Sequence, residues 1–251
     1  MNRDHFWLTD RQFARIAPHL PTDTRGKPRV DDRRVISGIV HVLKSGARWV
    51  DAPTVYGRAR PSIPVCPLGR EGRVGEPLPF TCACRRPFGA APHRQLGRQG
   101  SSLSIRRQGG ELNQAIGRSR GGRTTKIHAL TDELCRPIAF MLTGGQMADC
   151  TAGAQLLERL PPCRILHGDK GYDTDAIRRQ IEATGAMPNI PPKANRRRKN
   201  CFSPALYRGR NAIERMFCRL KDFRRIATRY DRLATNFLAA VCIAATVSYW
   251  L

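Results

Sequence analysis

Acidic residues are scarce in this sequence. Asp and Glu together number 20 among 251 residues, whereas Lys and Arg number 44, which gives a formal net charge of +24 at pH 7. The isoelectric point is about 11.0. So large an excess of positive charge favours a polyanionic partner, with nucleic acid as the leading class.

Three other features are missing, and each absence argues against a class of protein. No run of about 18 or more apolar residues is present, so we predict no membrane-spanning helix and expect the best run, 237–251, to form a buried helix. Residues 1–10 contain no signal-peptide h-region. The nine cysteines are an odd number without a C-x-x-C pair, and fit neither a disulfide framework nor a zinc ribbon. We therefore expect a cytoplasmic protein.

Regular hydrophobic spacing is also missing between residues 51 and 108. Prolines recur there among glycines and arginines, and no strand or helix period holds. The acidic residues of this stretch are Asp51, Glu71 and Glu76. Because such a composition buries little apolar surface, we expect residues 53–112 to be irregular, between two ordered domains at 1–52 and 113–251.

The N-terminal domain is predicted to consist of two helices. Thr9 is placed to cap the first helix, and a basic turn at 22–30 leads to a second helix that starts at Asp31 and ends at Gly46. Two short helices around a basic loop are typical of a DNA-binding unit resembling a helix-turn-helix. A plain helical hairpin without DNA contact is the alternative.

The second domain opens with a basic glycine turn and two strands, 124–130 and 137–142. His128 falls on one face of the first strand and is expected to be packed or hydrogen-bonded there. The cations of this turn are expected to contact DNA phosphates, or else to form a solvated loop. They are Arg118, Arg120, Arg123 and Lys126.

A predicted helix at 148–160 and a short apolar strand at 163–168 lead to Asp169. A carboxylate directly after a buried strand occupies the edge where open α/β sheets place functional groups. Asp169 could instead cap the following helix, but Asp173 or Thr174 suits that role better. Further along, the basic run 191–200 predicts either a mobile loop that contacts the DNA backbone or a solvated charged loop.

The stretch Y-R-G-R-N-A-I-E-R-M-F-C-R-L-K, residues 207–221, carries the densest chemical pattern. On one continuous helix, its four polar residues fall within an arc of about 60°, while an apolar face lies about 90° away. The bland alternative is an ordinary helix whose Glu214 is only neutralised by Arg210 one turn earlier. The four residues are Tyr207, Arg210, Glu214 and Lys221.

This spacing, Y-x-x-R-x-x-x-E-x-x-x-x-x-x-K, resembles the motif of bacterial insertion-sequence transposases of the DDE type. D-K-G-Y at 169–172 resembles the second-carboxylate motif of the same family. The N-terminal runs G-K-P-R-V-D-D-R-R and S-G-A-R-W, at 26–34 and 45–49, resemble its N-terminal domain. The resemblance covers roughly residues 8–56 and 109–251, and it implies an α/β fold with a ribonuclease-H-like catalytic core after a small all-α domain.

The resemblance also implies a reaction. Transposases of this family cut the phosphodiester at the element's ends and join the freed 3′-hydroxyl to target DNA. The expected cofactor is a pair of Mg²⁺ or Mn²⁺ ions held by carboxylates, here Asp169 and Glu214. Lys221 and Arg210 would grip phosphates, and Tyr207 would position or stack. The expected partners are terminal inverted repeats, target DNA near the bacterial nucleoid, and further copies of the chain.

One part of the family pattern is not recognisable. The family carries its first catalytic Asp on a central strand, and no such strand can be identified within 51–110. We hypothesise that this segment is translated out of frame relative to a typical member. Two functions therefore stay open: an active transposase, and a DNA-binding relic that occupies element ends without cutting them. A general basic RNA-binding protein is a third, less favoured hypothesis.

Overall fold

The computed structural model describes residues 5–20, 31–57, 87–93, 113–119 and 122–251, and shows a mixed α/β fold. Short 3₁₀ helices span Ala17–His19, Trp49–Asp51, Thr54–Tyr56, Lys170–Tyr172 and Arg208–Arg210, and Thr246–Trp250 forms a π-helical turn. The strands are Pro87–His93 (β1), Gly117–Ser119 (β2), Gly122–Thr131 (β3), Pro137–Gly144 (β4), Ile165–Gly168 (β5) and Met187–Asn189 (β6). The α-helices are Asp10–Ile16 (α1), Asp32–Ser45 (α2), Asp149–Leu157 (α3), Asp175–Ala183 (α4), Pro204–Tyr207 (α5), Asn211–Lys221 (α6), Arg224–Ala227 (α7) and Ala234–Ala245 (α8).

The strands form one sheet with an antiparallel and a parallel half. β4 pairs antiparallel with β3, and β3 pairs antiparallel with β1. β1 then pairs parallel with β5, and β5 pairs parallel with β6. β2 makes a short hairpin with the start of β3. β1 therefore lies in the middle of the sheet and joins its two halves.

β1 lies inside the stretch that the sequence analysis expects to be irregular. Its sequence is P-F-G-A-A-P-H, with prolines in first and sixth place and a glycine in third place. Proline cannot donate to a strand ladder and glycine weakens a strand, so neither residue type signals a central strand. The strand is defined by its pairing with β3 and β5, which are distant in sequence.

Two apolar clusters cover opposite faces of the sheet, and β3 contributes to both. Ile127 and Ala129 belong to one cluster, with α2, α6, α7 and α8, whereas Leu130 belongs to the other, with α3 and α4. This alternation follows from the period of two residues along a strand. β3 is buried on both faces although much of its sequence is polar, and its buried polar side chains are those of Thr124, Thr125, His128 and Thr131.

Helix α2 of the N-terminal segment is part of the first cluster. Ile39, Val40 and Leu43 are buried together with residues of the sheet and of the C-terminal helices. Beyond α2, the guanidinium of Arg225 lies over the rings of Trp49 and Tyr230 and donates a 2.9 Å hydrogen bond to the carbonyl of Ala47. The domain boundaries at 52 and 112 remain a prediction, but α2 shares its core with the sheet.

The helix ends follow local chemistry. Thr9 and Gln12 form a capping box at the start of α1, as the sequence predicts for Thr9. Gly46 ends α2 with a φ of 76°, a conformation that glycine adopts readily. In the part of the chain that the structure describes, no helix is long and apolar enough to cross a membrane.

Candidate functional site

Asp169 stands at the carboxyl end of β5, where the chain leaves the sheet. It is half-buried, and the 3₁₀ helix Lys170–Tyr172 follows directly. Its side chain caps no helix, whereas the hydroxyl of Thr174 accepts a 3.3 Å hydrogen bond from the amide of Ile177 at the start of α4. The predicted choice of Thr174 over Asp169 as the cap is thereby confirmed.

Tyr207 is brought to Asp169 by the helix α5. Its hydroxyl donates a 3.1 Å hydrogen bond to Oδ1 of Asp169, and its ring meets Phe202 edge-on, with 5.2 Å between the ring centroids. The contact joins the D-K-G-Y segment to the 207–221 segment. The structure thus brings together two of the residues that sequence analysis assigns to one site.

The predicted continuous helix over 207–221 is divided into three pieces. α5 ends at Tyr207, a 3₁₀ helix spans Arg208–Arg210, and α6 runs from Asn211 to Lys221. Gly209, a poor helix former, lies in the interruption. The arc of about 60° calculated for one straight helix therefore does not apply to Tyr207 and Arg210.

Helix α6 keeps the amphipathic character that the sequence predicts. Glu214 in its first turn and Lys221 at its last position are exposed. The helix packs against β1, next to the strand that carries Asp169. The apolar face consists of the buried Ile213, Met216, Phe217 and Leu220.

Gly171, in the turn after Asp169, makes room for a neighbouring carboxylate. A Cβ added to Gly171 would lie 2.7 Å from Oδ2 of Asp149, the first residue of α3. The other oxygen of Asp149 accepts a 2.9 Å hydrogen bond from Nζ of Lys126, which also donates to the carbonyl of Met147. Lys126, predicted to contact DNA, is therefore engaged in an internal ion pair.

Tyr172, the last residue of the same turn, is fixed by a buried histidine. Its hydroxyl lies 2.9 Å from Nδ1 of His128, whose Nε2 lies 2.8 Å from the hydroxyl of Thr143. Burial lowers the pKa of His128 to about 4, so its imidazole is neutral at pH 7. Burial, followed by the charges of Asp149 and Asp169, raises the pKa of Tyr172. His128 thus has the packed, hydrogen-bonded role expected of it.

Asp173 is a buried residue whose carboxylate connects helix α4 with the loop that contains Lys193 and Arg196. From the sequence, it is considered only as a possible helix cap. Its carboxylate accepts hydrogen bonds from Arg178 at 2.9 Å, from Arg196 at 2.7 Å and from the amide of Lys193 at 2.7 Å. Burial opposes ionisation, but these three donors together hold the pKa of Asp173 below its ordinary value. The spacing of residues in the sequence does not predict this cluster, because the donors to Asp173 come from α4 and from a separate loop.

The other predicted DNA-contact residues that the structure describes lie on separate elements. Arg118 on β2 is exposed and Arg123 on β3 is half-buried. Arg210 lies in the 3₁₀ helix before α6. Arg120 lies outside the described residues.

The register between β1 and β5 identifies the residue of β1 that lies level with Asp169. In the parallel pairing of β1 and β5, Pro87 lies opposite His167 and Phe88 opposite Gly168, so the next residue, Gly89, is level with Asp169. β1 contains no Asp or Glu. Among the residues that the structure describes, no three His, Cys, Asp or Glu side chains form a group that could hold a metal ion. These residues do not complete the donor set of a two-ion centre.

Two family profiles match the chain. Residues 99–249, more than half of the chain, match the family described as "Transposase DDE domain". Residues 8–62 match the family described as "Putative transposase of IS4/5 family". Residues 63–98, which include β1, lie between the two matches.

Two curated proteins are similar to the chain. One, from Brucella ovis, is described as "Putative transposase for insertion sequence element IS6501"; it is 33% identical over 129 residues, which cover 51% of this chain and 98% of that protein. The other, from Burkholderia cepacia, is described as "Putative transposase for insertion sequence element IS402"; it is 34% identical over 128 residues, which cover 47% of this chain and 57% of that protein.

Proposed function

Because the chain belongs to the family of transposases with a DDE domain, we propose that it binds the ends of an insertion sequence without cutting them. The observation that carries this proposal is the sequence of β1. The strand level with Asp169 offers Gly89 and contains no carboxylate. Asp169 and Glu214 would remain as two members of a triad that lacks its first member.

Electrostatics supports the binding half of the proposal. The net charge of +24 favours association with a polyanion, and exposed cations occur near the predicted site, among them Lys170, Arg208 and Lys221. Phosphate contacts of this kind position a protein on DNA but carry no base sequence information. The recognised terminal repeat would therefore be read by other residues.

The chemistry of the family explains why a missing carboxylate matters. A pair of divalent ions, when bound, activates the attacking oxygen and neutralises charge on the leaving oxygen. Mg²⁺ prefers hard oxygen ligands, and a carboxylate shared between the two ions supports both. With Asp169 and Glu214 alone, this chain would bind such ions weakly, and we assign no reaction step to them here.

The arrangement of strands supports a ribonuclease-H-like class for the sheet. The antiparallel strands β4, β3 and β1 are followed by parallel β5, with Asp169 at its end, and by the helix that carries Glu214. The order expected from the sequence is a strand hairpin, a helix, a strand with a carboxylate, a helix, and then a long helix with a carboxylate. We assign β1 to the strand that could not be recognised in the sequence, because it pairs with both β3 and β5.

Metal-dependent cleavage and strand transfer are the second candidate function. The hydrogen bond between Tyr207 and Asp169 favours this function, because it brings the D-K-G-Y motif into contact with the motif that starts at Tyr207. In this case a carboxylate from outside the described residues would complete the site. Lys221 and Arg210 would hold the phosphates beside it.

Cleavage assays separate the two candidates. The purified chain is incubated with DNA that carries the terminal inverted repeats, with Mg²⁺ or Mn²⁺, beside the variants Asp169→Ala and Glu214→Ala. Salt-sensitive binding without metal-dependent nicking supports the non-cleaving function. Nicking that both variants abolish supports the enzyme and contradicts our first proposal. The absence of any DNA binding contradicts both.

The reading frame of the gene provides a separate test. If residues 51–110 arise from a shifted frame, another frame over the same DNA encodes a strand that ends in Asp. Failure to find such a strand in either alternative frame contradicts the frameshift hypothesis. The loss of the first carboxylate would then need a different origin.

A further inference from the structure

The basic segment 191–200 is fastened to the protein at both ends. At its start, the amide of Lys193 and the guanidinium of Arg196 both donate 2.7 Å hydrogen bonds to Oδ2 of the buried Asp173. Beyond its end, Ser203 and Asn189 are joined by two hydrogen bonds, of 2.9 and 3.2 Å. The basic run predicts either a mobile loop that contacts DNA or a solvated charged loop, and in the structure hydrogen bonds hold this loop at its start and at its base.

The cations of the loop fall into two groups with different environments. Arg196 is largely buried, and it pairs with Asp173 at 2.7 Å and with Asp175 at 2.6 Å. Arg197, Arg198 and Lys199 are exposed, and no ion pair joins them to any residue within the described part of the chain. The internal pairs of Arg196 therefore hold three consecutive cations at the surface.

The loop also leaves the sheet at the same edge as Asp169, because β6 pairs in parallel with β5 and ends with Asn189 opposite His167. Its anchor, Asp173, is four residues after Asp169, and the chain that leaves the loop enters α5, whose Tyr207 contacts Asp169. A phosphate backbone that passes over Asp169 would run close to the three cations. Their charge complements a polyanion, and their fixed attachment reduces the conformational entropy that binding would otherwise cost.

We propose that Arg197, Arg198 and Lys199 form a preorganised surface for the DNA backbone, and that Arg196 holds this surface in place through Asp173 without contacting DNA itself. The proposal rests on the DNA-binding function proposed above. It separates the phosphate contacts of the loop from its anchor. Two arginines that are adjacent in sequence, Arg196 and Arg197, are thus assigned different roles.

The test compares variants that remove one positive charge each. Binding to a labelled mixed-sequence duplex of about 30 base pairs is measured by fluorescence anisotropy over a range of salt concentrations. A plot of log K against log salt has a negative slope, and Arg197→Ala, Arg198→Ala and Lys199→Ala should each reduce the magnitude of that slope by about 0.9. Arg196→Ala should leave the slope unchanged and weaken binding several-fold at every salt concentration, because the loop must then be ordered on binding.

Two further variants act as controls. Arg164→Ala removes an exposed cation that precedes β5, at the opposite end of that strand from Asp169, and should change neither slope nor affinity. Asp175→Asn weakens the anchor at a residue whose side chain is 70% exposed, so it tests the anchor without disturbing the buried Asp173. It should reproduce the unchanged slope of Arg196→Ala. Thermal melting checks that each variant is folded.

The possible outcomes separate this proposal from the function on which it rests. If Arg196→Ala and Arg197→Ala lower the slope equally, the loop acts as undifferentiated charge and the proposal is wrong. If the original chain binds the duplex but no loop variant changes the slope, the surface faces a different partner, such as an acidic protein, and the proposal again fails. If the original chain does not bind the duplex, the DNA-binding function itself is contradicted.

Discussion

The hydroxyl of Tyr207 donates a hydrogen bond to the carboxylate of Asp169, a residue 38 positions earlier in the chain. This contact ties the end of a central strand to the helical segment that carries Glu214. It gives Tyr207 a positioning role towards Asp169 and makes the orientation of that carboxylate dependent on α5.

Removal of the phenolic oxygen should weaken the connection between the two segments. We expect Tyr207→Phe to lower the free energy of unfolding by about 1 kcal/mol, the usual net contribution of one hydrogen bond. Urea denaturation measures the change. Tyr230→Phe is the matched control, because that side chain is 48% exposed and should show almost no loss. Equal effects of the two substitutions would contradict the role given to Tyr207.

The buried His128 should make stability depend on pH. Its pKa is lowered from 6.5 to about 4 in the folded chain, so between these values the unfolded chain binds more protons. Stability is therefore greatest above pH 6.5 and should fall by about 3 kcal/mol as the pH drops towards 4. His128→Gln should remove this part of the pH dependence.

Urea denaturation at a series of pH values provides the measurement for His128. His19→Gln serves as the control for the replacement of an exposed histidine. A profile for His128→Gln that falls as steeply as that of the original chain would contradict a buried neutral imidazole. A loss of stability that is the same at every pH would point to packing alone.

Gly171 should tolerate a side chain poorly while Asp149 is present. The added Cβ of Gly171→Ala would meet Oδ2 of Asp149 at 2.7 Å, and Lys126 restrains that carboxylate, so we expect a loss of about 1–3 kcal/mol. In an Asp149→Ala background the same substitution should cost much less. A double-mutant cycle measures this coupling, and purely additive effects would show that the close approach is unimportant.

Leu43 should stabilise the whole protein and not only its N-terminal helices. It is fully buried in the cluster shared with the sheet, so Leu43→Ala should cost about 2–5 kcal/mol. The loss should appear as a shift of one cooperative transition in circular dichroism and in tryptophan fluorescence. Leu134→Ala, at a position 61% exposed, is the control. Separate transitions for residues 1–52 and for the remainder would favour independent domains.

Features that depend on nearby residues could be predicted from the sequence. The capping role of Thr9, the end of α2 at Gly46 and the buried face of α6 follow from residues within one or two helical turns of each other. Local patterns predict burial and helix continuity less well where tertiary packing determines them. Val35, which shares a face with buried residues of α2, is 38% exposed, and the helix after Tyr207 is interrupted near Gly209.

Features that depend on distant residues could not be predicted in the same way. β1 carries no hydrophobic alternation, and only its neighbours in the sheet define it as a strand. Asp173 accepts a hydrogen bond from Arg196, which lies 23 residues later in the chain. Arg196 belongs to a basic run whose composition indicates only a charged loop. The position of Asp169 directly after a strand could be predicted, because a short apolar run precedes it, whereas its role as a metal ligand stays a prediction.

The packing of Arg225 between Trp49 and Tyr230 also constrains the order in which the protein can fold. Its hydrogen bond to Ala47 joins residues 178 positions apart, so this contact must wait until most of the chain has been synthesised. Contacts of such large sequence separation slow folding, because the loop must close before the contact stabilises it. A nascent chain that stops before α7 would leave the apolar face of α2 without its covering helices.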